Sequence, residues 1–140
     1  LYNLERELDQ ALQEKIWLKS GGFLVIQQTE AFVAIDVNTG KHSSKKDAEE
    51  NYKQINREAA LEIARQIRLR NLSGMILIDF INMRDCEDRS DLIQYMRSLV
   101  RSDSMQTVVV DVTTLGIMEI TRKKSAKTLA EQLNQLRKGE

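Results

Sequence analysis

Two short stretches of the chain, AIDVNTG at residues 34–40 and LIDFINM at residues 77–83, decide the expected fold. In each stretch an aspartate follows a run of apolar residues of strand length. Ligands of α/β sheets gather at the carboxyl ends of strands, so we expect Asp36 and Asp79 to meet there. An aspartate alone at a strand end is more often a turn former or a helix cap, so it is the pair that supports a binding site.

The segments around these two stretches show strand and helix patterns in turn. The apolar run that contains Asp79 is nearly continuous, which predicts a central strand buried on both faces. We therefore predict a single α/β (α+β) domain with a mixed β-sheet flanked by helices. Strand patterns occupy residues 22–27, 31–38, 75–83, 107–114 and 116–123, and helix patterns occupy residues 2–16, 47–72, 85–101 and 125–138.

Composition excludes several classes of protein. Of the 140 residues, 41% are hydrophobic and 30% are charged, as in globular rather than disordered proteins. The formal net charge is zero, which argues against nucleic-acid binding by bulk electrostatics alone. No apolar run is long enough to span a membrane, and one cysteine cannot form an internal disulfide, so we expect a cytoplasmic protein.

Two adjacent carboxylates would repel each other unless a cation lay between them. A hard divalent ion, Mg²⁺ or Mn²⁺, prefers such oxygen ligands and retains several waters. Asn38 follows Asp36 by two residues, which on a strand places it on the same face, in reach of the same ion or a phosphate. Asn82 follows Asp79 by three residues and has the alternative role of capping the next turn.

Three ordered motifs resemble the ribonuclease E/G family of bacterial endoribonucleases. They are WLKSGGFLVIQQTEAFVAIDVNTGKH, NREAALEIARQIRLRNLSGMILIDFINM and LGIMEITRKK, and the resemblance covers Trp17 to about Lys124. This region is similar to the subdomain of that family likened to deoxyribonuclease I. The resemblance implies that Asp36 and Asp79 bind a catalytic Mg²⁺ and that Asn38 orients the scissile phosphate or the water shell of the metal.

The resemblance also implies a function and partners. Members of the family hydrolyse single-stranded, A/U-rich RNA in ribosomal RNA maturation and messenger RNA decay. Residues 17–124 are then the catalytic metal-binding subdomain and residues 125–140 a C-terminal helix. Residues 1–16 are a helix leading in from a missing upstream part with S1, 5′-sensor and ribonuclease H-like domains. The oligomeric state stays open, including a homo-oligomer, since the family's zinc-sharing CxxC pair is absent from this sequence.

Basic residues near the first motif are candidate RNA contacts. Lys41, Lys45 and Lys46 follow it directly and are positioned to contact phosphates beside the cleavage point. His42 in the same loop is expected to be a solvent-exposed residue rather than a catalytic base, and Cys86 is expected to be a packing residue. The alternative to an endoribonuclease is a non-catalytic α/β module that serves the parent protein in assembly or RNA docking.

Overall fold

The computed structural model describes residues 5, 6, 9, 12–40, 48–124 and 129–139. No helix within these ranges is long and apolar enough to cross a membrane. The strands are β1 (Lys15–Trp17), β2 (Phe23–Gln28), β3 (Val33–Asn38), β4 (Gly74–Asp79), β5 (Thr107–Val112) and β6 (Met118–Arg122). The helices are α1 (Ala48–Leu69), α2 (Cys86–Val100) and α3 (Leu129–Lys138).

The six strands form one mixed sheet in the order β1-β2-β3-β4-β6-β5. β3 and β4 are parallel, and the other neighbouring strands are antiparallel. A parallel pair needs a crossover connection, and α1 provides it between β3 and β4. The predicted mixed α/β architecture is confirmed. The strands predicted at residues 107–114 and 116–123 form the antiparallel hairpin of β5 and β6, whose turn closes by a hydrogen bond from Gly116 N to Thr113 O.

One face of the sheet is covered by α1 and α2, which lie side by side. Alternate residues of the strands point to this face, and α1 adds a stripe of alanines and isoleucines with helical spacing. Arg57 of α1 stacks on Tyr95 of α2 at 4.0 Å from the ring centroid. The fully buried large side chains include Leu24, Ile26, Ile35, Ile55, Ile63, Ile67, Ile76, Ile78, Met96 and Ile120.

The opposite face, which we call the open face, is not covered by any helix that the structure describes. On β4 only the alternate residues Ile76 and Ile78 are buried, whereas Met75 on the open face is 45% exposed. The prediction that this strand is buried on both faces is therefore wrong. Its continuous apolar run reflects the apolar character of the open face, which on β2 includes the half-buried Phe23 and Val25.

The ends of the two long helices have identifiable causes. α1 ends at Leu69, three residues before the predicted Leu72, because Asn71 adopts a positive φ of 52°. Asn71 N and Leu72 N then bond to the carbonyls of Arg68 and Ile67, which is a Schellman motif. α2 is confirmed over almost its whole predicted length, and its N-cap is Asp85, whose carboxylate accepts from the backbone of the helix.

Three further predictions concern the two ends of the chain and Cys86. The predicted helix 2–16 extends too far, because Lys15 and Ile16 belong to β1; most of its earlier residues lie outside the described ranges. Cys86 is exposed at the first position of α2, so the expectation of a packing residue is wrong. The C-terminal helix is confirmed as α3 in which no residue is buried, while 125–128 lie outside the described residues.

Candidate metal centre

β3 and β4 end at the same edge of the sheet, and each carries one aspartate there. Asp36 lies opposite Asp79 in the parallel register of the two strands. Neighbouring strands are about 4.8 Å apart, so one strand spacing separates the two positions. Both side chains are exposed on the open face, because their neighbours Ile35, Val37 and Ile78 are buried on the covered face. The structure thus brings together the two aspartates predicted to meet.

The electrostatics of this pair are unfavourable without a counter-ion. The pKa of the Asp79 carboxyl is raised, first by its partial burial and then by the negative charge of Asp36. A like charge at a neighbouring position disfavours the ionised form of the Asp79 carboxyl. A bound cation would remove this penalty. Carboxylate oxygens are the ligands that Mg²⁺ and Mn²⁺ prefer, so the donor set fits a hard divalent ion.

The pair alone does not complete a coordination shell. Within the described residues, no group of three or more His, Cys, Asp and Glu side chains could hold a metal ion. Two protein carboxylates with the remaining positions left to water and substrate phosphate are a common arrangement for Mg²⁺. The geometry therefore suits an ion that is bound together with a phosphate-containing substrate.

Asn38 extends this site along β3. Its side chain lies on the same face as Asp36, and its Nδ2 donates to Asp36 Oδ2 at 3.3 Å. The amide keeps a second N–H donor and its oxygen acceptor for other partners. Asn38 is therefore positioned both to orient the Asp36 carboxylate and to contact a ligand beside it.

Glycines fix the backbone around Asn38. A Cβ at Gly22 would lie 2.7 Å from the Asn38 carbonyl oxygen, and a Cβ at Gly40 would collide with the Gly21 carbonyl oxygen. Gly40 also has a positive φ of 73°, which favours glycine. Because glycine has no side chain, the loop after β1 can pack directly against the end of β3 at both of these contacts. These contacts explain Gly22 and Gly40 in the first of the three motifs.

A buried asparagine supports the loop after Asp79. Asn56 of α1 is 0% exposed. Its Nδ2 donates to Ile81 O at 2.8 Å, and its Oδ1 accepts from Ile81 N at 3.0 Å. Both backbone polar groups of the residue two positions after Asp79 are thereby satisfied. Sequence reasoning missed Asn56, although a polar residue between Ile55 and Ala59 on the apolar stripe of a helix was the available signal.

The loop residues predicted to contact RNA cannot be placed. Lys41, Lys45 and Lys46 lie outside the described residues, as does His42, so their roles stay predictions. Asn82 is exposed in the loop after β4 and is not the cap of α2.

Two basic residues outside this loop, Arg70 and Arg122, are buried and have structural roles. Arg70 is buried, and its guanidinium donates to Gln66 Oε1 and to the Gln13 carbonyl. Arg122 is buried in an ion pair with Asp103. Neither side chain faces the aspartate pair on the open face, so we do not assign phosphate contacts to them.

Two clefts meet at Asp79. One, of about 590 Å³, lies between the loop after β4 and the turn of the β5–β6 hairpin and includes Arg89, Thr113 and Thr114 in its lining. The other, of about 460 Å³, extends over the open face of β2 and β3. It is lined by Phe23, Val25, Gln27, Phe32, Ala34, Ile35, Asp36, Asn38, Leu77, Asp79 and Ile117.

The sequence of the chain matches the Ribonuclease E/G family over residues 1–125. The chain belongs to the ribonuclease E/G family. The assignment predicted from three motifs is thereby confirmed at the level of the family, while the narrower assignment to the subdomain likened to deoxyribonuclease I stays a prediction.

Curated relatives agree with the ribonuclease E/G assignment. Ribonuclease G of Escherichia coli (strain K12) is 38% identical over 133 residues, which are 95% of this chain and 27% of that protein. Ribonuclease G of Haemophilus influenzae is 41% identical over 133 residues, with the same shares of 95% and 27%. Ribonuclease E of a Nostoc species is 36% identical over 130 residues, which are 93% of this chain and 19% of that protein. The chain spans about a quarter or less of the length of these relatives.

Proposed function

We propose that this chain is the metal-binding catalytic segment of an endoribonuclease that hydrolyses phosphodiester bonds of single-stranded RNA. The observation that carries the proposal is the register pairing of Asp36 with Asp79 on the open face. Membership of the ribonuclease E/G family supports the reaction class. The raised pKa of Asp79 supports a site that requires a cation.

In this proposal, Asp36 and Asp79 hold Mg²⁺, with Mn²⁺ as a substitute. Bound there, the ion would neutralise phosphate charge and make water a better nucleophile at neutral pH. The two carboxylates supply its negative ligands from rigid strands, which limits the reorganisation needed during the reaction. Asn38 orients Asp36 through its Nδ2 and offers its remaining amide groups to the scissile phosphate.

The clefts on either side of Asp79 support an extended substrate. A chain that enters along the open face and leaves by the hairpin turn would cross the aspartate pair. A flexible single strand adapts to such a path more readily than a stiff duplex. We therefore propose single-stranded RNA as the substrate, with rRNA processing and mRNA decay in the cytoplasm as the setting.

The proposal assigns parts of the chain to different tasks. Residues 17–124 form the catalytic subdomain, and β1 (Lys15–Trp17) completes its sheet. Residues 1–16 lead in from the upstream part of the parent protein, and residues 125–140 include the C-terminal helix α3. Upstream S1, 5′-sensor and ribonuclease H-like domains would hold the RNA. Correct positioning of reactants supplies several kcal/mol of catalysis, so we expect this chain alone to cleave RNA slowly.

The test of the metal site is thermal unfolding during a titration with Mg²⁺ or Mn²⁺. We expect the melting temperature to rise, because a ligand that binds only the folded state stabilises it. Asp36→Asn and Asp79→Asn should each abolish the rise. Asp91→Asn, which removes an exposed carboxylate of α2, is the matched control and should retain it. A rise of equal size in all four proteins would refute the site.

The test of the reaction is cleavage of a short single-stranded A/U-rich RNA in the presence of Mg²⁺. We expect slow cleavage that requires both aspartates, is reduced in Asn38→Ala, and is absent for the same sequence in a duplex. A folded chain that binds the metal but never cleaves would instead favour the alternative of a non-catalytic RNA-docking module.

A further inference from the structure

An exposed aromatic cluster lies beside the candidate metal centre on the open face. Trp17 is 63% exposed, although it is the largest apolar side chain in the sequence. Its ring centroid lies 5.1 Å from that of Phe23, with an interplanar angle of 56°. The ammonium of Lys15 lies 4.3 Å from the centroid of Trp17 and 4.2 Å from that of Phe23. We call Lys15, Trp17 and Phe23 the aromatic platform.

The register of the sheet connects this platform to the aspartates. Trp17 pairs with Phe23, and Phe23 pairs with Asn38. In the next row Lys15 pairs with Val25, Val25 with Asp36, and Asp36 with Asp79. Paired residues project from the same face, so the platform and the aspartates lie in two adjacent rows.

One member of the platform, Phe23, also lines the cleft that contains the aspartates. Phe23, Asp36, Asn38 and Asp79 all line the cleft of about 460 Å³ on the open face. With strands about 4.8 Å apart, Phe23 is one strand from Asn38 and Trp17 is two strands away. These separations of one and two strand spacings are comparable to the distance from the cleaved linkage to the base of the adjacent nucleotide, or of the one after it.

The chemistry of the platform fits a nucleobase and its phosphate. A lone exposed aromatic residue is common on protein surfaces, but here a lysine holds two rings in place by cation–π contacts. Because Trp17 remains largely exposed, its indole offers a flat surface on which a base can stack. The Lys15 charge complements the phosphate that accompanies such a base. Aromatic stacking with nearby cations is the usual means of holding single-stranded nucleic acids.

We propose that the aromatic platform binds an unpaired nucleobase of the RNA, next to the linkage placed at Asp36 and Asp79. This inference rests on the proposed function, which it extends by naming a base-binding subsite. The platform would hold the strand in the orientation that delivers the scissile phosphate to the aspartates. Trp17 and Lys15 act by binding, so they are not expected to affect the affinity for the metal alone.

The sequence offers a direct probe, because Trp17 is the only tryptophan in the chain. We would titrate a single-stranded RNA of about ten nucleotides into the chain in EDTA and follow tryptophan fluorescence. Binding would be measured independently by the anisotropy of labelled RNA. We expect saturable quenching at the concentrations where anisotropy rises, and a much smaller change with an abasic strand or a duplex of equal length.

Variants distinguish stacking from general apolar contact. Trp17→Leu keeps an apolar side chain but removes the aromatic face, and we expect binding to weaken between about fivefold and a hundredfold. Trp17→Phe should restore most of the affinity. Leu136→Ala, which truncates an exposed apolar side chain on α3, is the control and should bind as the wild type.

The outcomes separate this inference from the proposed function. Quenching that persists in Asp79→Asn, whether or not that protein responds to metal, would support the platform. RNA binding without any change in tryptophan emission, or wild-type affinity in Trp17→Leu, would overturn it. An absence of RNA binding would also overturn it, while leaving the thermal test of the metal site unaffected.

Discussion

Two aspartate sites lie near opposite ends of β4, and they differ in whether a basic side chain neutralises the carboxylate. At one end, buried Asp103 accepts from Arg122 Nε at 2.8 Å. Burial raises the pKa of Asp103, but hydrogen bonds led by that from Arg122 outweigh burial and lower the pKa to about 2. At the other end, Asp79 faces Asp36, and its pKa is raised. A carboxylate neutralised within the fold serves stability, whereas an unfavourable pair of like charges indicates a place for a ligand.

The largest expected effect comes from removing the neutralised charge. Asp103→Asn leaves the buried Arg122 guanidinium without its counter-charge, and we expect a loss of about 3–5 kcal/mol in the free energy of unfolding. Urea denaturation measures this loss. Asp91→Asn is the exposed control and should change stability by less than about 0.5 kcal/mol. A loss below about 1 kcal/mol for Asp103→Asn would mean that the ion pair is not a principal source of stability.

The second effect concerns the support that the covered face gives to the candidate site. Asn56→Ala leaves both backbone polar groups of Ile81 without their partner, and we expect a loss of about 2–3 kcal/mol. The Mg²⁺ concentration at half-maximal stabilisation should also rise, because the loop after Asp79 is less well held. Gln54→Ala on the exposed side of α1 is the control. An unchanged metal response would limit Asn56 to a structural role.

The third effect is the acid sensitivity of the neutralised site. Because the folded pKa of Asp103 is depressed from 3.8 to about 2, its contribution is complete above its unfolded pKa. That contribution is lost as the pH falls through 3.8 to about 2. We expect the stability difference between wild type and Asp103→Asn to shrink by about 2 kcal/mol over that range. A difference that does not vary with pH would contradict the depressed pKa.

The smallest effect is expected at the like-charged pair without metal. Asp79→Asn removes a carboxylate that Asp36 repels, so in EDTA the variant should be as stable as the wild type or more stable by less than about 1 kcal/mol. The same substitution should abolish stabilisation by Mg²⁺. A marked loss of stability in EDTA would show instead that Asp79 has a structural partner.

The main helices, the two central strands and the aspartate pair could be predicted from the sequence, because hydrophobic periodicity is a local signal. The amphipathic pattern located α1 and α2, and the apolar runs located β3 and β4 with an aspartate at the end of each. Parallel strands joined by a helix align their carboxyl ends, so the meeting of Asp36 and Asp79 followed from connectivity.

Other features depend on contacts between distant segments. The end of α1 was placed too late because Asn71 adopts a left-handed conformation that apolar spacing does not reveal. The open face of β4 was missed because its residues on both faces are apolar, and only the packing distinguishes them. The role of Asn56 and the neutralisation of Arg122 by Asp103 likewise require knowledge of which segments lie together.

The most direct test of the central claim is the stoichiometry of Mn²⁺ binding measured by electron paramagnetic resonance. We predict one Mn²⁺ bound per chain at a site that Mg²⁺ competes for, lost in both Asp36→Asn and Asp79→Asn and retained in Asp91→Asn. Binding of Mn²⁺ that is unchanged when both aspartates are replaced would contradict the assignment of a metal centre to the end of β3 and β4.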